Sequence, residues 1–166
     1  MPERSDAIIL AAVSTSVAVI DQLTKILLAS AIDSGQLASR VEVVDGWPGL
    51  EYTENRGAAF GLFSGVAPVI IGISIAILAS LLLYFFRQAR PPLWQTVATG
   101  AIAGGALGNL GDRVRLGHVI DFVSVGPWPN FNVADSAITI GVLVLVWGMT
   151  RPPPRLGTAQ PIDQGR

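Results

Sequence analysis

Asp121 and Asp135 are the residues of this chain best suited to acid–base chemistry. They lie in a stretch from Gly108 to Ser136 that also holds Asn109, Asp112, Arg113 and Asn132. The segments beside that stretch are apolar enough to cross a bilayer, and charged groups at a membrane edge are costly enough to mark a functional site. Asp121 stands inside the apolar pentapeptide Val119-Ile-Asp-Phe-Val123, which reads as a short interfacial loop. A carboxylate in such a setting needs a partner, or desolvation raises its pKa. Asp135 is the natural partner. Two close carboxylates share one proton, giving one base and one acid. Such a pair activates water and protonates a leaving amine without a metal or any other cofactor.

Composition excludes other chemistries. The chain has no cysteine, so disulfides, thiol catalysis and thiolate metal sites are ruled out. His118 is its one histidine, which makes a multi-histidine zinc site impossible and leaves a Ser-His-Asp triad a single choice. Beside Gly117, His118 reads as a loop residue. The net charge is -1, Lys25 is the only lysine, and no basic patch with interleaved aromatics offers a surface for nucleic acid.

The elements that must position these residues are membrane helices. Of 166 residues, 51% are hydrophobic and 14% charged. The mean hydropathy of +0.54 is too apolar for an ordinary soluble domain. Four apolar runs, at about 7–28, 66–86, 93–110 and 133–149, approach the roughly 20 residues that cross a bilayer. Together they form one membrane domain over residues 1–150. The first run could also be a signal peptide, with Ala29-Ser30-Ala31 as its cleavage site, but Asp21 and Lys25 interrupt it and it is long for one.

Between the first two runs, residues 29–65 contain a candidate hairpin. Arg40-Val-Glu-Val-Val44 alternates polar and apolar, Asp45-Gly-Trp-Pro-Gly49 is a turn cluster, and Leu50-Glu-Tyr-Thr53 is the returning strand. Alone it would be marginal, so it must rest on the helices or on lipid. Gly100, Gly104 and Gly108 recur every fourth residue, a pattern that lets helices approach closely. Residues 151–166 are polar and proline-bearing and read as a disordered tail. Six basic residues flank the runs on the side of the termini against five on the other, so both termini are expected in the cytoplasm.

Four antiparallel spans bring certain ends to one surface, whichever way the chain is inserted. That surface collects Asp21 and Lys25, the segment from Thr53 to Phe60, the stretch from Asn109 to Asp121, and Asn132 with Asp135. Each group also has a plainer reading. Asp21 and Lys25 are i,i+4 and suit a helical ion pair. Asn132 and Asp135 match a helix N-cap and its N3 acid. Asn109 and Arg113 are again i,i+4, and Arg113 could simply reach the headgroups. Asn55-Arg-Gly57 suits a turn.

These motifs resemble, in order and placement, those of the lipoprotein signal peptidases, also called signal peptidase II. The likeness runs from Asp21-Gln-Leu-Thr-Lys25 through Thr53-Glu-Asn-Arg-Gly-Ala-Ala-Phe60 and Gly108-Asn-Leu-Gly-Asp-Arg113. It continues through Val119-Ile-Asp-Phe122 and Phe131-Asn-Val-Ala-Asp135. The resemblance implies an α-helical integral protein of the bacterial cytoplasmic membrane: four antiparallel transmembrane helices with a small β platform on the extracytoplasmic face. It implies an aspartyl protease without cofactor or metal, removing signal peptides from diacylglyceryl-modified prolipoproteins just before the lipidated cysteine. Asp121 and Asp135 would be its catalytic pair. Asn55, Asn109, Arg113 and Asn132 would position substrate or the pair, and Asp21 and Lys25 would support the site. Membrane lipid and globomycin-type inhibitors would be its other partners.

Three other classes remain open at this level. A small proton or ion transporter would use the intramembrane charges as a relay, though they gather at one face. A Ser-Lys peptidase would use Lys25 with Ser136. A non-enzymatic assembly protein would leave Asp121 in its apolar setting without a reason.

Overall fold

The computed structural model describes residues 1–44, 47–57 and 67–150. Helix α1 (Arg4–Asp33) is followed by strands β1 (Arg40–Val44) and β2 (Trp47–Asn55). Helices α2 (Ala67–Arg87) and α3 (Leu93–Leu116) come next, then β3 (Val119–Val125), β4 (Trp128–Phe131) and α4 (Val133–Met149). The Asp45-Gly46 part of the expected turn, residues 58–66 and the 151–166 tail lie outside the described residues.

Helix α3 is the hub. It packs along α1 and α4, and α2 lies against it more loosely. The glycines spaced by four make the α1 contact. A Cβ at Gly104 would run into the Ser14 carbonyl, and one at Gly108 would lie 2.7 Å from the Asp21 carboxylate. Ser14 Oγ donates to the Gly100 carbonyl at 2.9 Å across the same seam.

By length and composition, α1 and α2 are each able to cross a membrane, and α4 is a shorter apolar helix. α3 does not pass that test, because it carries Gln95, Thr96, Thr99, Asn109 and Asp112. All five are buried, so its polar side chains face protein. The outward side chains of the other helices are apolar, among them Leu27 on α1, Ile77 on α2 and Leu143 on α4. Such a surface suits hydrocarbon and not water.

Helix α3 continues past the apolar run at 93–110, and residues 111–116 are its last turns. That helix ends only at Gly117, whose positive φ of 80° closes it with an N–H bond to the Arg113 carbonyl. One expectation is corrected: the pentapeptide around Asp121 is no loop. It is strand β3, paired antiparallel to β2 with Thr53 opposite Asp121 and Asn55 opposite Val119. The predicted hairpin is therefore half of a four-stranded sheet, β1-β2-β3-β4. Val119, Ile120, Asp121 and Phe122 are all buried, which explains an apolar run without alternation: both faces of that strand are covered.

Candidate active site

The end of α1, the end of α3, the start of α4 and the middle of the sheet converge on one polar cluster. Its base is Lys25. The ammonium lies 2.8 Å from Asp21 Oδ2, 2.6 Å from Asp112 Oδ2 and 3.1 Å from Asn109 Oδ1. All four side chains are buried. The other oxygens of the two acids are held as well. Asp21 Oδ1 accepts from the Ala134 backbone N–H at 2.9 Å, tying α1 to the start of α4. Asp112 Oδ1 accepts from Gln22 Nε2 at 2.8 Å. A buried charge is tolerated only when paired and hydrogen-bonded, and this one is both.

The ammonium sets the orientation of Asn109. Lys25 has only donors, so the Asn109 oxygen must face it. The Asn109 amide nitrogen is thereby turned to Asp135, donating to Oδ1 at 2.8 Å. Asn132 is fixed in the same way. It caps α4, its oxygen accepting from the Asp135 backbone N–H at 2.9 Å, while its own backbone N–H donates to Asp135 Oδ2 at 3.3 Å. Its nitrogen is left to donate to Asp121 Oδ1 at 2.7 Å, with the Asn109 oxygen and the Ile120 carbonyl as further acceptors at 3.1 and 3.2 Å. Asn55, at the end of β2, follows the same logic. Its oxygen accepts from the Gly57 N–H at 2.9 Å in a turn, and its nitrogen donates to Asp121 Oδ2 at 2.9 Å. Three asparagines are each anchored by the oxygen and present N–H to a carboxylate.

Asp121 and Asp135 thus meet through Asn132, which touches both. Burial raises the Asp121 carboxyl from 3.8 to about 6. The amide N–H groups of Asn55 and Asn132 and the charge of Lys25 oppose that rise, and the negative charge of Asp135 adds to it. Asp135 occupies the first turn of α4, as the N3 acid of the capping box with Asn132. Beside it opens a cavity of about 340 Å³ lined by Trp128, Phe131, Ser136, Thr139 and Ile140.

Of the residues singled out in the sequence, Arg113 reaches the cluster least directly: its Nη1 lies 3.4 Å from the Asn109 backbone carbonyl and touches neither aspartate. His118 lies apart, its Nε2 3.8 Å from Glu54 Oε1. Ser136 Oγ donates to the Asn132 carbonyl at 3.0 Å, and Lys25 is enclosed by its three acceptors, so neither is arranged as a nucleophile or base. Sequence reasoning missed Asp112 as the second acid on Lys25, and Gln22, which links Asp112 to Arg115 Nη1. The signal available was that Gly108, Asn109 and Asp112 share one face of α3.

The Asp121 shift has a measurable consequence. Protonated Asp121 is lost as pH rises through about 6, so a reaction needing one proton on the pair should show kcat/KM falling on the alkaline side of that value. The Asn55 N–H favours the ionised form. Asn55→Ala should therefore raise the pKa further and move the alkaline limb to higher pH. A limb that stays in place, or moves down, would show that Asn55 does not act on Asp121.

The model for signal peptidase (SPase) II matches residues 13–151 of this chain. The lipoprotein signal peptidase of Syntrophotalea carbinolica is 41% identical over 152 residues, spanning 86% of this chain and 91% of its own. That of Halothermothrix orenii is 37% identical over 130 residues, spanning 78% and 87%. A solved bacterial membrane enzyme, 33% identical, matches with a TM-score of 0.77 over 86% of this chain and 92% of its own. With this agreement across nearly the whole described chain, the protein belongs to the signal peptidase II family, the membrane peptidases that cleave lipoprotein signal peptides.

Proposed function

We propose that this chain is a four-span aspartyl endopeptidase of a bacterial cytoplasmic membrane, with both termini in the cytoplasm and the sheet on the extracytoplasmic side. It removes signal peptides from diacylglyceryl-modified prolipoproteins just before the lipidated cysteine, and Asp121 and Asp135 are its catalytic dyad. The observation that carries this reading is the set of three oriented asparagine amides aimed at two carboxylates that share Asn132.

Asp135, whose Oδ1 accepts from Asn109 Nδ2 and whose Oδ2 accepts from the Asn132 N–H, takes a proton from water as the water oxygen bonds to the scissile carbonyl carbon. Asp121, whose pKa is raised to about 6 so that it holds a proton more readily than an ordinary carboxyl, gives its proton to the carbonyl oxygen. Collapse of the tetrahedral diol returns that proton to Asp121. The C–N bond breaks, and the amine leaves with the proton held by Asp135. The asparagines stay fixed throughout, so the site does not reorganise as charge moves. Globomycin-type cyclic peptides would act by occupying this cleft.

Depth in the membrane explains the demand for lipid. The acyl chains must lie in hydrocarbon while the peptide bond reaches the dyad. Each buried methylene contributes about 0.8 kcal/mol, so the lipid anchor holds the bond at one level. Misplacement of about 1 Å costs on the order of a hundredfold in rate. Purified enzyme should therefore cleave diacylglyceryl-modified precursor at least about a hundredfold faster, in kcat/KM, than the unmodified precursor. Equal cleavage of the two would end the lipoprotein-specific reading even if the dyad survived.

A further inference from the structure

A groove along α3 and α4 leads away from the dyad and has no partner among the described residues. Its near part is the cavity beside Asp135, walled by Trp128, Phe131, Thr139 and Ile140. Its far part is a cavity of about 410 Å³ between the helices, walled by Val97, Ala101, Ile140, Gly141 and Val144. Ile140 belongs to both walls, so the two adjoin at that residue. At the far end the Trp94 ring lies against Gly148. No residue of α2 lines either part.

We propose that this groove holds the apolar helical core of the substrate's signal peptide, its C-terminal end at Asp135 and its N-terminal end toward Trp94. The inference rests on the peptidase function proposed above and assigns where the leaving segment binds. Three observations support it. The groove's polarity matches the order of a signal peptide, whose apolar core precedes a short stretch of small residues at the cleavage site. Polar lining is confined to the dyad end, at Asp135, Ser136 and Thr139, and the far part is apolar. The dimensions also agree. From Asp135 to Gly148, α4 rises about 20 Å, within the roughly 10–22 Å that a helical core of 7–15 residues would span. Finally, Ala101 is the small, partly exposed residue on the α3 wall of the far part, so a second helix can approach the backbone there.

The absence of cysteine in the chain makes a direct test clean. Single cysteines are placed in the groove (Thr139→Cys, Val144→Cys, Val97→Cys) or on the exposed apolar face of α2 (Ile73→Cys, Ile77→Cys). An Asp121→Asn background leaves bound precursor uncut. The precursor carries one added cysteine in its signal peptide; its own cysteine is blocked by the lipid thioether. After oxidation in bilayers, groove cysteines should cross-link to the signal peptide, with the preferred partner of Val144→Cys about five residues farther from the scissile bond than that of Thr139→Cys. Equal or stronger cross-linking to α2, or no shift in position, would overturn the proposal. So would enzyme dimers formed through Val97→Cys without substrate, or capture of Val144 by a photoreactive acyl chain in place of the signal peptide. In the otherwise unchanged enzyme, Ala101→Phe should raise KM at least fivefold with kcat within twofold; an unchanged KM would count against the groove. Catalysis is tested separately, by cleavage in the wild type and its loss in Asp121→Asn. The dyad can therefore stand while the groove fails, and the reverse.

Discussion

Asp121→Asn and Asp135→Asn should each lower turnover of lipidated precursor by between about 10² and 10⁴-fold, the usual contribution of positioned acid–base groups. Both changes keep side-chain size and remove the ability to cycle a proton. The cost in stability should be modest. The new amide at 121 can accept from only one of Asn55 and Asn132, leaving the other N–H unpaired at about 1–3 kcal/mol. Thermal unfolding in detergent would separate that loss from the loss of chemistry. The double variant should be barely worse than either single one, because groups acting as a unit are not additive. Turnover within tenfold of wild type in either single variant would refute the two-aspartate mechanism, and multiplying losses in the double would refute a shared step.

Lys25→Met should be the most destabilising single change in the cluster. It leaves Asp21 and Asp112 buried without a cation, and breaking a buried ion pair by removing one partner costs about 3–5 kcal/mol. Adding Asp21→Asn and Asp112→Asn should restore much of that stability, because the uncompensated charges go with them. Activity should not return with it. Without the ammonium, only the Asn132 N–H at 3.1 Å still holds the Asn109 oxygen, and the amide turns more readily from the geometry that donates to Asp135. The triple variant should therefore melt near wild type but turn over slowly. Recovery of both together would show that Lys25 is purely structural, and recovery of neither would show that the cluster's stability does not reside in the ion pairs.

Much of this architecture was legible because membrane segments are written in long apolar runs. The runs alone place Asp21, Lys25, Asn109, Asp121 and Asp135 at one end of the molecule, since antiparallel helices must alternate ends. The i,i+4 spacing of Asp21 and Lys25 is a local relation, and it is present as an ion pair. The Asn132–Asp135 cap is local too, and it is present with both of its bonds. Glycines every fourth residue marked the face of α3 that meets α1, because a helix repeat maps directly onto a surface.

The sheet was half hidden. β1 alternates, but β3 is apolar on both sides of Asp121 and β4 contains proline, so neither showed the period of a one-sided strand. Their pairing depends on β2 arriving from the far side of two helices. Helix α3 extends past its apolar run to Leu116, and Asp112 in that extension is accounted for only by its buried partner Lys25.

By itself, then, the sequence determined which residue types were available and at which end of the bundle they gather. Apolar period and spacing are properties of single segments. Only the tertiary structure decided that Lys25 answers two acids, that the Asn109 oxygen turns to it, and that three amides consequently offer N–H to Asp121 and Asp135. An asparagine is equally ready to donate or accept. Which it does is settled by the group on its other side, and here those groups come from distant parts of the chain or from a turn and a helix cap that form only in the fold.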